Sequence, residues 1–238
     1  MTVFVLVGGL GTRIAELYPD RPKALVPVAG RPFIDHVLAS LAGRGLTDVV
    51  LCAGHRADSL AEHIGDGARF GVCARTVIED TPLGTAGALA LARRQVGHAD
   101  ETFFALNGDT WAEFDTEAML ALHKGLGADA TLACYHVDES AARGAALTSD
   151  DGRLLGFREK AATGPGWVSG GVYALEPGAL EGIGPGESWS LETDVFPALL
   201  AAGRTIGAWR APGRFWDMGT PAGRAEAEAM LLRGGAAS

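Results

Sequence analysis

The chain has 238 residues, of which 47% are hydrophobic and 7% aromatic, and it carries a formal net charge of −9 at neutral pH. This length supports one sizeable core without a second independent domain, and the acidic balance argues against a general surface for nucleic acid or an anionic membrane. No apolar run approaches the ~18 residues of a membrane span. We therefore expect no nucleic-acid or membrane partner, and any phosphate site must be local.

The cysteines and the first residues bear on the compartment. Cys52, Cys73 and Cys134 lie far apart in the sequence and lack metal-ligand spacing, so we expect small core residues of a reduced protein. The first apolar run has no basic leader of the kind that opens a secretory signal. Both observations predict a cytoplasmic protein.

The first element is a short apolar strand that ends in a cluster of glycines. Val3–Val7 is dense in β-branched and aromatic residues, which predicts a strand buried on both faces. Gly8, Gly9 and Gly11 follow it, and without a Cβ their N–H groups can surround an anion closely. The loop is therefore a candidate phosphate site, with a simple tight turn as the alternative.

Two cations follow these glycines. The planar guanidinium of Arg13 can hold two phosphate oxygens, and Lys23 adds a mobile point charge. The familiar phosphate motifs do not fit. Thr12-Arg13 stands where a Walker loop needs Lys and Ser or Thr, and Ile14 occupies the third glycine position of the dinucleotide fingerprint. Neither a P-loop nor a Rossmann dehydrogenase is expected.

Strands and helices then alternate along the chain. This rhythm favours a mostly parallel sheet with helices on both faces, whose ligands lie at the carboxyl ends of the strands. The loop after the first strand would lie at such an end. The predicted elements are helices at 33–41 and 59–64 and strands at 47–52 and 72–78.

A second glycine-bearing turn, Pro82–Gly87, opens an Ala- and Leu-rich helix that runs to about Gln95. Thr85 is a candidate N-cap of this helix. A helix N-terminus presents free N–H groups and positive dipole, and small residues such as Gly84 and Gly87 leave room for a flat ring. Simple capping and close packing are the alternative.

A buried strand at 102–106 ends in Asn107-Gly108-Asp109. A carboxylate in this position is suited to hold Mg²⁺, which prefers one or two carboxylates together with substrate phosphates. A structural Asn-Gly-Asp connector remains the other interpretation.

The second half contains shorter strands and more turns. Strands are predicted at 131–137, 145–147, 154–157 and 168–175, and they extend the sheet with antiparallel pieces. Lys160 lies close in sequence to the last of these strands and could hold a second phosphorylated ligand. A solvated charge cluster is the alternative.

Acidic residues occur in two further segments of the second half. Glu192 and Asp194 open a predicted helix at Ser190, where they suit either its dipole or sugar hydroxyls, and capping alone accounts for Asp194. Asp217 lies in an aromatic, glycine-flanked setting. Pro221 then starts a terminal amphipathic helix.

Together these motifs resemble the sugar-1-phosphate nucleotidyltransferases over almost the entire chain. One departure is visible, since Ala24 follows Lys23 where the family commonly has a second proline. The motifs, in the family's order, are Gly8-Gly9-Leu10-Gly11-Thr12-Arg13, Pro22-Lys23, Pro82-Leu83-Gly84-Thr85-Ala86-Gly87, Asn107-Gly108-Asp109, Glu159-Lys160, Gly170-Gly171-Val172-Tyr173, Leu191-Glu192 and Trp216-Asp217-Met218-Gly219-Thr220-Pro221.

The resemblance implies a Rossmann-like, three-layer α/β nucleotidyltransferase fold of the GT-A-like kind. Its sheet would be mixed but mostly parallel, with helices on both faces and a small antiparallel extension. The resemblance also implies one domain over 1–238, in which about 1–110 bind the nucleotide and about 111–238 bind the sugar phosphate.

The resemblance also implies roles for individual residues. Mg²⁺ would be the cofactor, held by Asp109 and Asp217. Arg13, Lys23 and Asp109 would be catalytic. The nucleotide would contact Val7, Gly8, Gly9, Gly11, Thr12, Arg13, Lys23, Glu79, Gly84, Thr85, Gly87, Asn107 and Gly108, and the sugar phosphate would contact Lys160, Gly170, Gly171, Glu192 and Asp217.

The implied reaction joins a nucleoside triphosphate to a sugar 1-phosphate and releases pyrophosphate. A sugar 1-phosphate is already a dianionic nucleophile near neutral pH, so no catalytic base is needed. The short chain looks most like the D-glycero-α-D-manno-heptose 1-phosphate guanylyltransferases. Uridylyl- and thymidylyltransferases acting on a hexose or N-acetylmuramate 1-phosphate, a GT-A-type glycosyltransferase, and a non-catalytic nucleotide-sugar sensor stay open, as does homo-oligomerisation.

Overall fold

The computed structural model describes residues 1–9, 18, 21–54, 56–97, 101–140, 144–158 and 164–234. Within these ranges a nine-stranded mixed sheet carries helices on both faces, which confirms the predicted three-layer α/β fold. None of the helices in the described ranges has the length and apolar character that crossing a lipid bilayer requires.

The bounds of the elements follow the chain. The strands are β1 Thr2–Leu6, β2 Pro27–Val28, β3 Arg31–Pro32, β4 Asp48–Ala53, β5 Cys73–Ile78, β6 Phe103–Asn107, β7 Thr110–Ala112, β8 Ala130–Val137, β9 Ala146–Thr148, β10 Leu154–Phe157, β11 Gly166–Leu175, β12 Ile206–Arg210 and β13 Phe215–Asp217. The α-helices are α1 Phe33–Gly43, α2 Ala57–Ile64, α3 Gly84–Val96, α4 Thr116–Leu126, α5 Phe196–Ala201 and α6 Pro221–Gly234, and a π-helical turn spans Leu191–Val195.

The centre of the sheet is parallel. Strands β6, β1, β4 and β5 lie side by side in that order, with Val3 of β1 opposite both Val49 of β4 and Phe104 of β6. Because parallel strands end at the same edge, the residues that follow each of them gather there. Gly8 and Gly9 after β1, Glu79 after β5 and Asp109 after β6 therefore meet at one edge.

Alternating side chains of the central strands build the two cores. Val3 and Val5 of β1 pack against one layer, which includes α1 and α2, whereas Phe4 packs against the other, which includes α3 and α5. A strand exposes successive side chains to opposite faces, so an unbroken apolar run fits a strand covered on both sides.

The antiparallel extension begins at β11, which pairs along one side with β8 and along the other with β6 and, further toward its start, with β9. The pairing with β8 shifts register between Ser169 and Tyr173, and Gly171 within this bulge has a φ of +70°. A Cβ at Gly171 would lie 2.6 Å from Nδ2 of Asn107, so the backbone packs directly on that side chain. The bulge thus sets β11 against the end of β6.

A small ladder brings the end of the chain back to β6. β13 pairs with β7 so that Asp217 stands opposite Thr110, the residue after Asp109. Helix α6 then contacts the β2–β3 hairpin, where Arg224 donates to the carbonyl of Pro27 and Glu228 accepts from the N–H of Ala29. This closure places Asp217 beside Asp109.

Two local expectations need correction. Cys73 was expected in the core but is exposed, because it begins β5, whereas Cys52 and Cys134 are buried as expected. Burial raises the pKa of the Cys134 thiol to about 12, which keeps it protonated and unreactive. The helix predicted from Ser59 begins two residues earlier, at Ala57.

Candidate functional site: two adjoining cavities

Two cavities open at the carboxyl edge of the parallel strands and share the side chains of Asn107 and Asp109. The first has a volume of about 390 Å³ and the second about 230 Å³. The first is lined by Leu6, Val7, Gly8, Gly9, Lys23, Ala24, Cys52, Glu79, Pro82, Gly84, Thr85, Ala88, Asn107, Gly108 and Asp109. The second is lined by Asn107, Asp109, Thr110, Ser169, Gly170, Gly171, Glu192, Phe215 and Asp217.

Two acidic residues line the first cavity, Asp109 at the junction with the second cavity and Glu79. A Cβ at Gly8 would lie only 2.7 Å from its Oε1, and its Oε2 accepts the N–H of Leu83 at 3.2 Å. Burial raises the pKa of Glu79, and the hydrogen bond from Leu83 partly opposes that rise. The carboxylate is thus held against the backbone of the glycine loop with acceptor capacity left over.

Lys23 and Asp109 form an ion pair at the junction of the cavities. The Nζ of Lys23 lies 2.6 Å from Oδ2 of Asp109, and the two side chains are 16% and 40% exposed. Lys23 begins a 3₁₀ turn, Lys23–Leu25, that follows Pro22. The distance in sequence, 86 residues, is bridged because both segments lie at the same sheet edge.

Asp217 approaches from the other side. The N–H of Met218 donates to the main-chain oxygen of Asp109 at 2.8 Å, and the N–H of Gly219 donates to Oδ1 of Asp217 at 2.7 Å. Both carboxylates face the second cavity. Across the described part of the chain, no three His, Cys, Asp or Glu side chains converge as a ready-made metal cluster.

A chain of hydroxyls reaches Glu192 in the second cavity. Ser169 accepts the N–H of Gly171 and donates to the phenolic oxygen of Tyr173, both at 3.3 Å, and Tyr173 donates to Oε1 of Glu192 at 2.8 Å. Burial first, and the Glu192 charge second, raise the pKa of Tyr173 well above its ordinary value. Tyr173 is therefore a fixed neutral donor that orients the Glu192 carboxylate.

The start of α3 differs from the expectation of a helix end with free N–H groups. The N–H groups of Ala86 and Gly87 both donate to the carbonyl of Trp189, at 2.8 and 3.2 Å. Thr85 is not the N-cap, because its Oγ1 accepts the N–H of Leu191 at 2.7 Å. Gly84 and Thr85 line the first cavity, whereas Gly87 lies behind its wall against the 187–189 segment.

Capping accounts for Asp194, as expected, since its Oδ2 accepts the N–H of Ser190 at 2.7 Å. The predicted site residues divide into those that line the cavities, Gly87, which lies behind the wall of the first cavity, and four that are outside the described residues. The cavities bring together Val7, Gly8, Gly9, Lys23, Glu79, Gly84, Thr85, Asn107, Gly108, Asp109, Gly170, Gly171, Glu192 and Asp217. Gly11, Thr12, Arg13 and Lys160 lie outside the described residues.

Sequence reasoning missed the hydroxyl of Ser169 in the second cavity and that of Tyr173, which bonds to Glu192. Ser169 and Tyr173 lie four positions apart on one strand, which in a regular strand would place both on one face too far apart to touch. The bulge between them shortens that distance. The two adjacent glycines at 170–171 were the available signal of such an irregularity.

The fold and the site define an α/β protein that can hold a ligand at the ends of parallel strands next to a second, more polar cavity. A model of the nucleotidyl transferase family matches residues 2–234. The chain belongs to the nucleotidyl transferase family.

Several relatives in sequence are named as mannose-1-phosphate guanylyltransferases. The mannose-1-phosphate guanylyltransferase of Mycobacterium tuberculosis is 34% identical over 232 residues, covering 97% of this chain and 64% of that protein. A probable mannose-1-phosphate guanylyltransferase of Oryza sativa is 35% identical over 225 residues, covering 93% and 62%. The chain thus spans somewhat less than two thirds of the length of these relatives.

The fold also matches a solved structure. The crystal structure of HddC from Yersinia pseudotuberculosis complexed with GMP-PN has a TM-score of 0.83 to this chain and is 26% identical to it. The match covers 97% of this chain and 99% of that one.

Proposed function

We propose that the protein is a sugar-1-phosphate guanylyltransferase, which transfers the guanylyl group of GTP to a sugar 1-phosphate of manno configuration and releases pyrophosphate. The observation that carries the proposal is the meeting of the two cavities at Asp109. One cavity offers glycine backbone and the Lys23 ammonium, and the other offers carboxylates and hydroxyls. Two phosphorylated ligands can therefore meet at one charged junction.

The reaction needs charge neutralisation more than acid–base chemistry. An oxygen of the sugar phosphate attacks the α-phosphorus of GTP, a new P–O bond forms, and the bond between the α-phosphorus and the bridging oxygen breaks as pyrophosphate leaves. Lys23 stands at the junction where these negative charges gather, so its ammonium would stabilise them in the transition state. We propose the same task for Arg13 on the triphosphate and Lys160 on the sugar phosphate.

Asp109 and Asp217 fit a divalent cation. Their carboxylates share the second cavity, and Asp109 already holds one cation, the Lys23 ammonium, at 2.6 Å. Mg²⁺ takes one or two protein carboxylates and fills its remaining positions with water and substrate phosphate, so two ligands suffice. When bound, Mg²⁺ would neutralise phosphate oxygens at the junction, and these two residues would hold it.

Glu79 favours guanine as the base. Guanine presents N1–H and an exocyclic NH₂ side by side, and a carboxylate can accept both hydrogen bonds at once. Uracil and thymine present one N–H between two carbonyl oxygens, which a carboxylate repels. Glu79 in the first cavity, the names of the sequence relatives and the GMP-PN complex of HddC all support GTP.

The sugar is proposed to occupy the second cavity, with Glu192 accepting from its hydroxyls and Gly170 and Gly171 contacting it through the backbone. Mannose 1-phosphate is suggested by the relatives, and D-glycero-α-D-manno-heptose 1-phosphate by the motif resemblance. We further propose that residues up to about 110 form the nucleotide half of one domain, since they supply the whole lining of the first cavity.

Pyrophosphate release tests the proposal directly. The protein is mixed with each of GTP, UTP, dTTP and ATP and each of mannose 1-phosphate, the manno-heptose 1-phosphate, glucose 1-phosphate and N-acetylmuramate 1-phosphate, with Mg²⁺ present. We expect the largest rate with GTP and one of the two manno sugars. A largest rate with UTP or dTTP would overturn the guanine assignment.

Absence of release with every pair would overturn the enzymatic proposal altogether. Binding of GTP or a GDP-sugar without release would then favour a sensor. Transfer of the sugar from a GDP-sugar to an acceptor would favour a glycosyltransferase. Addition of EDTA to an active pair should stop release, and excess Mg²⁺ should restore it.

A further inference from the structure

The start of α3, in the first cavity, is bonded to the segment that carries Glu192 in the second. Four hydrogen bonds join the two segments. Ala86 and Gly87 donate to the Trp189 carbonyl, Trp189 donates to the Leu83 carbonyl, and the N–H of Leu191 donates to the side-chain Oγ1 of Thr85. We call this set of contacts the 83–191 clamp. It physically connects the wall of one cavity to the wall of the other.

The two backbone segments of the clamp are too close for a side chain to fit between them. A Cβ at Gly84 would lie 2.5 Å from the carbonyl oxygen of Trp189, and a Cβ at Gly87 would lie 2.4 Å from that of Glu187. Both distances are far below van der Waals contact. The glycines of the second turn therefore admit a protein segment, and that segment leads directly to Glu192.

Thr85 makes the clamp's contact nearest to Glu192. Its Oγ1 lies 2.7 Å from the N–H of Leu191, a fully buried residue that begins the π-helical turn. A buried N–H that loses its acceptor costs free energy, so the chain would move to find another partner. Glu192 is the next residue, and its carboxylate must stay within reach of Tyr173 at 2.8 Å.

We propose that Thr85 is a positioning residue for the sugar phosphate: through Leu191 it fixes the backbone that presents Glu192 to the second cavity. This inference rests on the proposed function. Thr85 lines the first cavity, where the resemblance places the nucleotide, but we propose that it affects binding of the sugar phosphate in the second. A residue that only contacted the nucleotide would act on GTP alone.

Thr85→Val tests this proposal, because valine keeps the branched shape and removes the acceptor. Binding of mannose 1-phosphate and of the manno-heptose 1-phosphate is measured by calorimetry without nucleotide, and both KM values are measured with the active pair. We expect the sugar 1-phosphate to bind about tenfold more weakly and its KM to rise similarly, with the KM of GTP changed less than about twofold. Thr85→Ser, which retains the acceptor, should recover most of the affinity.

The dependence on Glu192 is tested by a double-mutant cycle. If Thr85 acts through Glu192, the effect of Thr85→Val on sugar binding should largely vanish in a Glu192→Ala background. If Thr85→Val does not fold, Thr85→Ala takes its place in the cycle, because it leaves space for a water at the Leu191 N–H.

The outcomes separate this inference from the proposed function. A wild-type protein that binds the sugar phosphates and releases pyrophosphate upholds the function. In that case, a Thr85→Val variant with an altered KM for GTP and unchanged sugar binding overturns the inference. Full additivity in the cycle also overturns it. A wild type that neither binds nor reacts overturns both.

Discussion

The two cavities are built from opposite kinds of sheet. The first lies where parallel strands β1, β4, β5 and β6 end together, and its wall combines glycine backbone with apolar side chains, with Glu79 and the Lys23–Asp109 pair as its charged groups. The second lies beside the bulge of antiparallel strand β11, and its wall is mainly polar side chains.

The two kinds of wall suit different parts of a ligand, one its phosphate groups and the other its hydroxyls. A wall of glycine backbone fits a phosphate chain whatever the ligand's other end, because phosphate recognition needs N–H groups and close approach. A wall of side chains reads the positions of individual hydroxyls. Under the proposed function, the second cavity should therefore determine which sugar is used, and Glu79 should contribute to the choice of base in the first.

The junction between the cavities should give the largest effect. Asp109→Asn should lower kcat by at least about 10³-fold, because it removes the carboxylate that pairs with Lys23 and that we assign to Mg²⁺. Folding should survive, since the side chain is 40% exposed and Met218 bonds to the main-chain oxygen. Steady-state kinetics and the unfolding midpoint measure both.

Asp150→Asn is the matched control for this charge change, since Asp150 is exposed and lies outside both cavities. Calorimetric titration of Mg²⁺ with GTP present adds a readout that does not depend on turnover. Near-normal activity with Mg²⁺ in Asp109→Asn would contradict the metal assignment.

The bulge in β11 should give the next largest effect. Gly171→Ala adds a Cβ at a φ of +70° and 2.6 Å from the Asn107 side chain, so both backbone strain and overpacking oppose it. We expect a loss of about 2–4 kcal/mol in the free energy of unfolding, measured by urea denaturation.

Gly125→Ala is the matched control. Gly125 lies in helix α4 with open space around its Cα, so this change should stabilise the protein by about 0.5–1 kcal/mol. Equal stability of Gly171→Ala and wild type would contradict the prediction, because it would mean that position 171 does not need the positive φ and close packing of glycine.

Glu79→Gln should give a smaller but more selective effect. The amide cannot accept both guanine donors, so the preference for GTP over UTP in kcat/KM should fall about tenfold or more. Asp80→Asn, which removes the neighbouring exposed carboxylate outside the cavity, should leave that preference intact. An unchanged preference in Glu79→Gln would exclude Glu79 as the base reader.

The same variant has an expected pH signature. Burial raises the pKa of Glu79 in the folded protein above the ordinary value that it has in the unfolded chain. The free energy of unfolding therefore starts to fall as the pH rises past the ordinary pKa, and it levels off above the raised pKa of the folded state. Glu79→Gln should therefore be more stable than wild type at neutral pH, and the difference should disappear below the ordinary glutamate pKa. Urea midpoints across this pH range measure it.

The layered fold and the first cavity follow from local sequence signals. Unbroken apolar runs of β-branched and aromatic residues predict strands buried on both faces, and glycines or acids directly after them mark the carboxyl edge of the sheet. The ends of β1 and β6 were both predicted within a residue. The order of motifs was enough to identify the nucleotidyl transferase family.

Contacts between distant segments depended on the tertiary structure. The sequence predicts that Thr85 begins α3, but its acceptor oxygen is used by Leu191, 106 residues away. Ser169 and Tyr173 touch because of a register shift in the pairing of β11 with β8. Such contacts depend on strand register and on which backbone groups compete for one acceptor, and the local pattern of apolar residues predicts neither.

The sequence by itself therefore determined the layers, the edge of the sheet where the two cavities open and the residue types available there. Only the tertiary structure decided their use: the N–H groups at the start of α3 bind Trp189 instead of remaining free, and Lys23 meets Asp109. The physical reason is that a residue's capacity to donate, accept or approach closely is local, whereas the partner that satisfies it is set by packing.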